Sequence, residues 1–171
     1  MPPRRLPFLA AGALAVLLSL SPFAGARDKK DAKVENAHRF AVIGHGVTED
    51  GDARLKEALA DSSEKSLAFV VLNGIKGEKE SCGDRLYQKR RDMIEKAKRP
   101  VIVSLAGSDW TGCRNSLNRT NAIERLNRLR ELLYGEPESL GLEKIGVTRL
   151  SASPRFRSYA ENAHWKVGKV L

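Results

Sequence analysis

The chain is predicted to be α/β, with a parallel-containing sheet flanked by helices. Two observations predict this. Short apolar runs at 39–44, 67–72 and 100–105 each end in a glycine-bearing turn, as buried strands do. Between them lie polar segments whose apolar residues fall at helical spacing. An order of strand, helix, strand, helix, strand implies right-handed crossovers and a parallel sheet with helices on its faces, because that packing buries the apolar strands.

The first run is Arg39-Phe40-Ala41-Val42-Ile43-Gly44. Residues 50–63 come next, with Leu55, Ala58, Leu59 and Ser62 on one helical face and Asp50 or Asp52 as candidate N-cap. The second run, Leu67 to Leu72, stops at Asn73-Gly74. Residues 84–98 read as a basic helix ended by Arg99-Pro100, since the residue before proline is pushed out of helical geometry. The third run, Pro100 to Leu105, closes at Ala106-Gly107-Ser108. Residues 121–134 form the clearest helix: Ala122, Ile123, Leu126, Leu129, Leu132 and Leu133 make one stripe, and Gly135 stops it. The stretch 136–154 reads as loop with a short extended piece near Val147, and residues 165–171 alternate like a terminal edge strand.

Ahead of the domain, residues 1–26 read as a cleaved signal peptide. Arg4 and Arg5 precede an apolar segment over 8–20, and Ala24-Gly25-Ala26 supplies the small-x-small cleavage pattern. The apolar segment is short for a bilayer span of about 20 residues, and Pro22 breaks the chain before the small-residue site. Export to the periplasm or the extracellular space is therefore expected, with no transmembrane segment after cleavage. Residues 27–38 are charged, almost without large apolar groups, and read as a disordered leader. Residues 39–171 form one domain, because a chain of this length has room for one ordinary core and not two.

The whole chain has 30 basic and 21 acidic residues, a net charge of +9. That surplus can steer a protein toward anionic partners without naming one. The basic helix places Lys89, Arg90 and Arg91 as candidate anion-facing residues, against the plainer reading that they solvate a helix face. Cys82 and Cys113 are the only two cysteines. In an oxidising compartment an even count favours a disulfide over two buried free thiols.

In open parallel sheets, ligands bind beyond the carboxyl ends of the strands. Three loops qualify: Gly44-His45-Gly46, Asn73-Gly74 and Gly107-Ser108-Asp109-Trp110. His38 and His164 are expected to face solvent, and Asn118-Arg119-Thr120 matches a glycosylation sequon that matters only in a eukaryotic secretory host.

Several motifs together carry a resemblance. They are Phe40-Ala41-Val42-Ile43-Gly44; Phe69-Val70-Val71-Leu72 with Ile75-Lys76 and Cys82; Pro100-Val101-Ile102-Val103 with Trp110-Thr111 and Cys113; Asn127 to Tyr134; and Glu161-Asn162-Ala163-His164-Trp165. In these the chain resembles the N-terminal half of calcineurin-like metallophosphoesterases of the exported bacterial branch. The resemblance implies a sheet-based sandwich holding two divalent metals, which polarise a phosphate and activate a water, and for which hard ligands at strand ends are required.

The chain departs from that pattern at its ligands. His45 stands where the resemblance implies an Asp, Asn73-Gly74 stands in place of Gly-Asp, and Ala106-Gly107-Ser108-Asp109-Trp110 stands in place of Gly-Asp-Asn-Glu-Trp. Replacing bridging carboxylates leaves two close cations unneutralised, a cost well above one lost ligand. The expectation is thus an inactive domain with a binding or scaffolding role and no cofactor. The alternative is a rebuilt phosphoesterase site in which His45, Asn73 and Asp109 hold a divalent metal, with His45 and Asp109 as its catalytic candidates. A second alternative is a truncated piece of a longer phosphoesterase.

Overall fold

The computed structural model describes residues 38–44 and 51–168. The signal-peptide and leader readings, His45 and the last three residues lie outside the described set. Among the described residues, five strands and three α-helices are formed: β1 (Arg39–Gly44), α1 (Gly51–Asp61), β2 (Leu67–Asn73), α2 (Asp84–Glu95), β3 (Val101–Ser104), α3 (Ala122–Leu133), β4 (Val147–Arg149) and β5 (Ala163–Trp165). Single-turn 3-10 segments lie at Gly107–Asp109, Leu150–Ala152 and Pro154–Phe156.

β1, β2 and β3 form a parallel sheet in that order. Their ends are level: Gly44 pairs with Asn73, and Asn73 with Ser104. The α/β expectation therefore holds. Alternation sends Val70, Leu72, Val101 and Val103 to one face, where they join Leu55 and Leu59 of α1, Tyr87 and Ile94 of α2, and Leu129 and Leu133 of α3 in a single core. Each fully buried aliphatic side chain there stabilises by about 1.5–3 kcal/mol against exposure.

The other face is less covered than the strand pattern suggests. Val71 and Ile102 are half-buried, but Phe40 and Val42 on β1 are 55% and 64% exposed. The strand order explains this. Two right-handed crossovers that advance the same way, β1 to β2 and β2 to β3, deliver α1 and α2 to the same side. What shields the far face is aromatic: Phe40 stacks on Phe69 with centroids 5.1 Å apart, and Trp165 meets Phe69 edge-on at 5.5 Å.

β4 and β5 pair antiparallel, Val147 with Trp165 and Arg149 with Ala163. β5 thus begins two residues before the alternation of 165–171, the last three residues of which lie outside the described set. The Arg130 guanidinium ties this hairpin to α3 by a two-pronged pair with Glu161, at 2.7 and 2.6 Å. That pair holds the Glu161 carboxyl below its ordinary value, chiefly through the hydrogen bond from Arg130. A carboxyl with a depressed folded-state pKa contributes stability above its unfolded value, and that contribution is lost as pH falls through the folded one. Glu161→Gln is therefore expected to lose about 1–2 kcal/mol at pH 7 and progressively less as pH falls through the depressed folded-state value, measured by urea unfolding across pH.

Cys82 and Cys113 are bonded, with Cα atoms 5.8 Å apart. The bridge is in keeping with an oxidising compartment. Among the described residues no helix is long and apolar enough to cross a membrane.

Candidate functional site: the strand-end loops

The parallel sheet brings two of the three sequence-predicted loops into contact. Gly74 donates its N–H to the Ser104 carbonyl at 2.8 Å, which joins the turn after β2 to the end of β3. Asp109 then completes the closure. Its Oδ1 accepts the N–H groups of Ile75 and Lys76 at 2.9 and 2.8 Å, and its Oδ2 accepts that of Ala106 at 2.8 Å. The residue has no exposed surface. Burial raises its pKa, while the three N–H groups and the nearby Lys76 pull the other way.

Three further contacts stitch the same loops. Ser108 donates its hydroxyl to the Lys76 carbonyl at 3.0 Å. The Tyr87 hydroxyl donates to the Asp109 carbonyl at 2.7 Å, from a fully buried ring whose pKa is pushed up to about 12, chiefly by burial. Lys76, only 2% exposed, turns its ammonium onto the Gly77 carbonyl at 2.7 Å. Desolvation lowers its pKa, and the charges of Asp109, Glu80 and Glu78 oppose that shift. Lys76 carried no functional signal in the sequence beyond its place in the resemblance.

A two-metal centre does not fit these residues. Both oxygens of Asp109 accept backbone hydrogen bonds and the residue is fully buried, so this catalytic and metal-ligating candidate is placed as a brace between the two loops. Gly74 stands at a position where the resemblance implies an Asp, and it has φ +78°, a conformation that side chains rarely adopt. A Cβ there would lie 3.0 Å from the Ala106 Cβ and 3.7–3.8 Å from the Asp109 carboxylate. A carboxylate at 74 would therefore face steric strain and a like charge together. Asn73 is exposed at the end of its strand, next to the exposed Ser104. Among the described residues no three His, Cys, Asp or Glu side chains converge.

No protein-family model, no curated protein and no solved structure matches the chain.

Among the described residues, the ends of β2 and β3 present the Asn73 amide and the Ser104 hydroxyl. Beside Ser104 a cavity of about 530 Å³ opens between the far face of β2 and β3 and the β4–β5 hairpin, with Val71, Ile102, Leu105 and Trp165 among its apolar lining. Arg149 is its cationic wall. The guanidinium lies 4.9 Å over the Tyr134 ring and donates to the carbonyls of Glu136 and Glu138.

The basic triplet of α2 does not form one anion-facing surface. Successive helical residues are rotated by about 100°, so Lys89, Arg90 and Arg91 point to three different surroundings. Arg90 is 1% exposed and turns inward, between Asp52 and Glu80. Its candidacy is corrected for that reason: it shares the buried stripe of Tyr87 and Ile94, a spacing of three and four residues that the sequence did carry. Arg91 donates to the Leu132 carbonyl at 3.0 Å and approaches Glu95. Lys89 stays exposed and pairs with Asp52. His164 is exposed on β5, opposite Thr148.

Proposed function

We propose that the chain is an exported, phosphoesterase-like domain that has lost hydrolysis and retains a binding role. The observation that supports this reading best is the engagement of Asp109 by three backbone N–H groups. It occupies the sole carboxylate of the Ala106-Gly107-Ser108-Asp109-Trp110 motif in holding two loops together. Among the described residues the strand ends present an amide and hydroxyls in place of hard anionic ligands, and such groups hold a polar ligand without retaining a pair of divalent cations. The adjoining cavity gives such a ligand an apolar floor.

Hydrolysis of an aryl phosphate ester by the purified protein, with manganese, iron, zinc or magnesium supplied in turn, tests the loss of activity. The expected rate equals that of metal in buffer alone. Turnover that is suppressed by a chelator and abolished by His45→Ala would reverse the reading in favour of a rebuilt site.

A further inference from the structure

The cavity beside Ser104 holds a cation that the fold does not neutralise. In the β4–β5 pair, Arg149 stands opposite Ala163 and Val147 opposite Trp165, so pleating puts these four side chains on one face of the hairpin. That face is the covered one: Val147 is buried and the other three are half-buried, whereas Thr148 and His164 are exposed. Across the cavity lies the far face of the sheet, where Val71 and Ile102 are paired neighbours. Val71, Ile102, Leu105 and Trp165 each keep part of their surface open, so the apolar lining is accessible.

Arg149 donates its Nε hydrogen to the Glu136 carbonyl at 3.0 Å, and one hydrogen from each terminal nitrogen to the carbonyls of Ala160 at 3.5 Å and Glu138 at 3.1 Å. One N–H on each terminal nitrogen is left without a partner among the described residues. No described carboxylate forms an ion pair with it, although desolvation already works against its charge and lowers its pKa. A clamp on the 136–138 loop accounts for the hydrogen bonds it makes. It does not account for a half-buried cation left without a counter-charge beside open space.

We infer that this cavity binds a small aryl monocarboxylate, its carboxylate on the two free N–H groups of Arg149 and its ring between Trp165 and the Val71–Ile102 floor. A guanidinium with a free N–H on each terminal nitrogen matches the two oxygens of a carboxylate. Arg149 and Trp165 stand one two-residue step apart along the hairpin face, about 7 Å, close to the reach from a carboxylate across one aromatic ring. Glu161 lines the same cavity and is already neutralised by Arg130. One uncompensated cation therefore selects a monoanion, because the second charge of a phosphate ester would enter a cavity that holds Glu161 and find nothing to meet it. The inference rests on the binding role proposed above and names its ligand. A failed titration would leave the loss of hydrolysis standing, and turnover of a phosphate ester would leave the titration standing.

The test is calorimetric titration of the purified protein with 3-phenylpropionate near neutral pH. Propionate supplies the head without the ring, phenethylamine the ring with the opposite charge, and phenyl phosphate the ring with a dianion. Saturable one-to-one binding of 3-phenylpropionate is expected, weakened at least about tenfold for each control ligand. Arg149→Gln is expected to weaken it at least about tenfold, and Arg149→Lys by less, since an ammonium keeps the charge without the fork. Lys56→Gln removes a charge outside the cavity lining and is expected to change nothing. Thermal unfolding shows which variants are folded. Should Arg149→Gln unfold, Ser104→Trp decides, because it fills the cavity mouth from an exposed position and is expected to abolish binding. Absence of saturable binding, equal binding of phenethylamine or phenyl phosphate, indifference to a folded Arg149→Gln or to Ser104→Trp, or an equal loss in Lys56→Gln would each overturn the inference.

Discussion

Asp109→Ala is expected to destabilise the protein by about 3–5 kcal/mol, because it strands three backbone N–H groups that are buried or nearly so, each worth about 1–3 kcal/mol when left unsatisfied. For a domain of this size the unfolding midpoint falls by about 10 °C or more. Asp109→Asn is the informative partner. Its amide oxygen can still accept the N–H groups of Ile75 and Lys76, but its NH₂ faces the Ala106 N–H, donor against donor. The expected loss is about half that of the alanine variant, read by urea unfolding. An alanine variant as stable as the parent would mean that the carboxylate is not holding the loops.

The second large effect is reduction of the Cys82–Cys113 bridge. It closes a loop across 31 residues, for which the chain-entropy argument gives about 3–4 kcal/mol. The Cys82→Ser, Cys113→Ser double variant is expected to lose that amount in unfolding free energy, and the parent to match it in strong reductant. The bridge anchors the loop before α2 to the segment after Asp109, so reduction is also expected to speed amide exchange at Ile75 and Lys76. An unaltered midpoint in reductant would place those loops under other control.

The fold was more legible than the site. Three apolar runs with helical segments between them lead to a parallel sheet because burial on a sheet leaves a contiguous apolar pattern in the chain. The even count of cysteines, taken with the expected oxidising compartment, pointed to the bridge. Coverage of the far face of the sheet was not legible, since it depends on strand order, and strand order depends on crossovers that leave no mark in the runs themselves.

Asp109 illustrates why a bracing role is hard to read from sequence. An aspartate after a strand-end glycine looks like a ligand, and its three partners are backbone groups, two of them more than 30 residues away. Backbone donors have no sequence signature, so nothing near Asp109 announces that its oxygens are taken. Arg90 differs. Its spacing from Tyr87 and Ile94 placed it on the buried stripe, and reading the charge run 89–91 as a block concealed that. Reading α2 by face instead separates the buried Arg90 from the exposed Arg85, Lys89 and Lys96.

The proposed function turns on strand ends that are braced by Asp109 and hold no metal pair. Elemental analysis of the protein isolated without chelator measures this directly, set beside the same analysis of Asp109→Asn. Less than about one-tenth of an ion per chain is predicted for both proteins, in line with the absence of a metal-binding cluster among the described residues. One or two ions of manganese, iron or zinc per parent chain, lost in the variant, would contradict it.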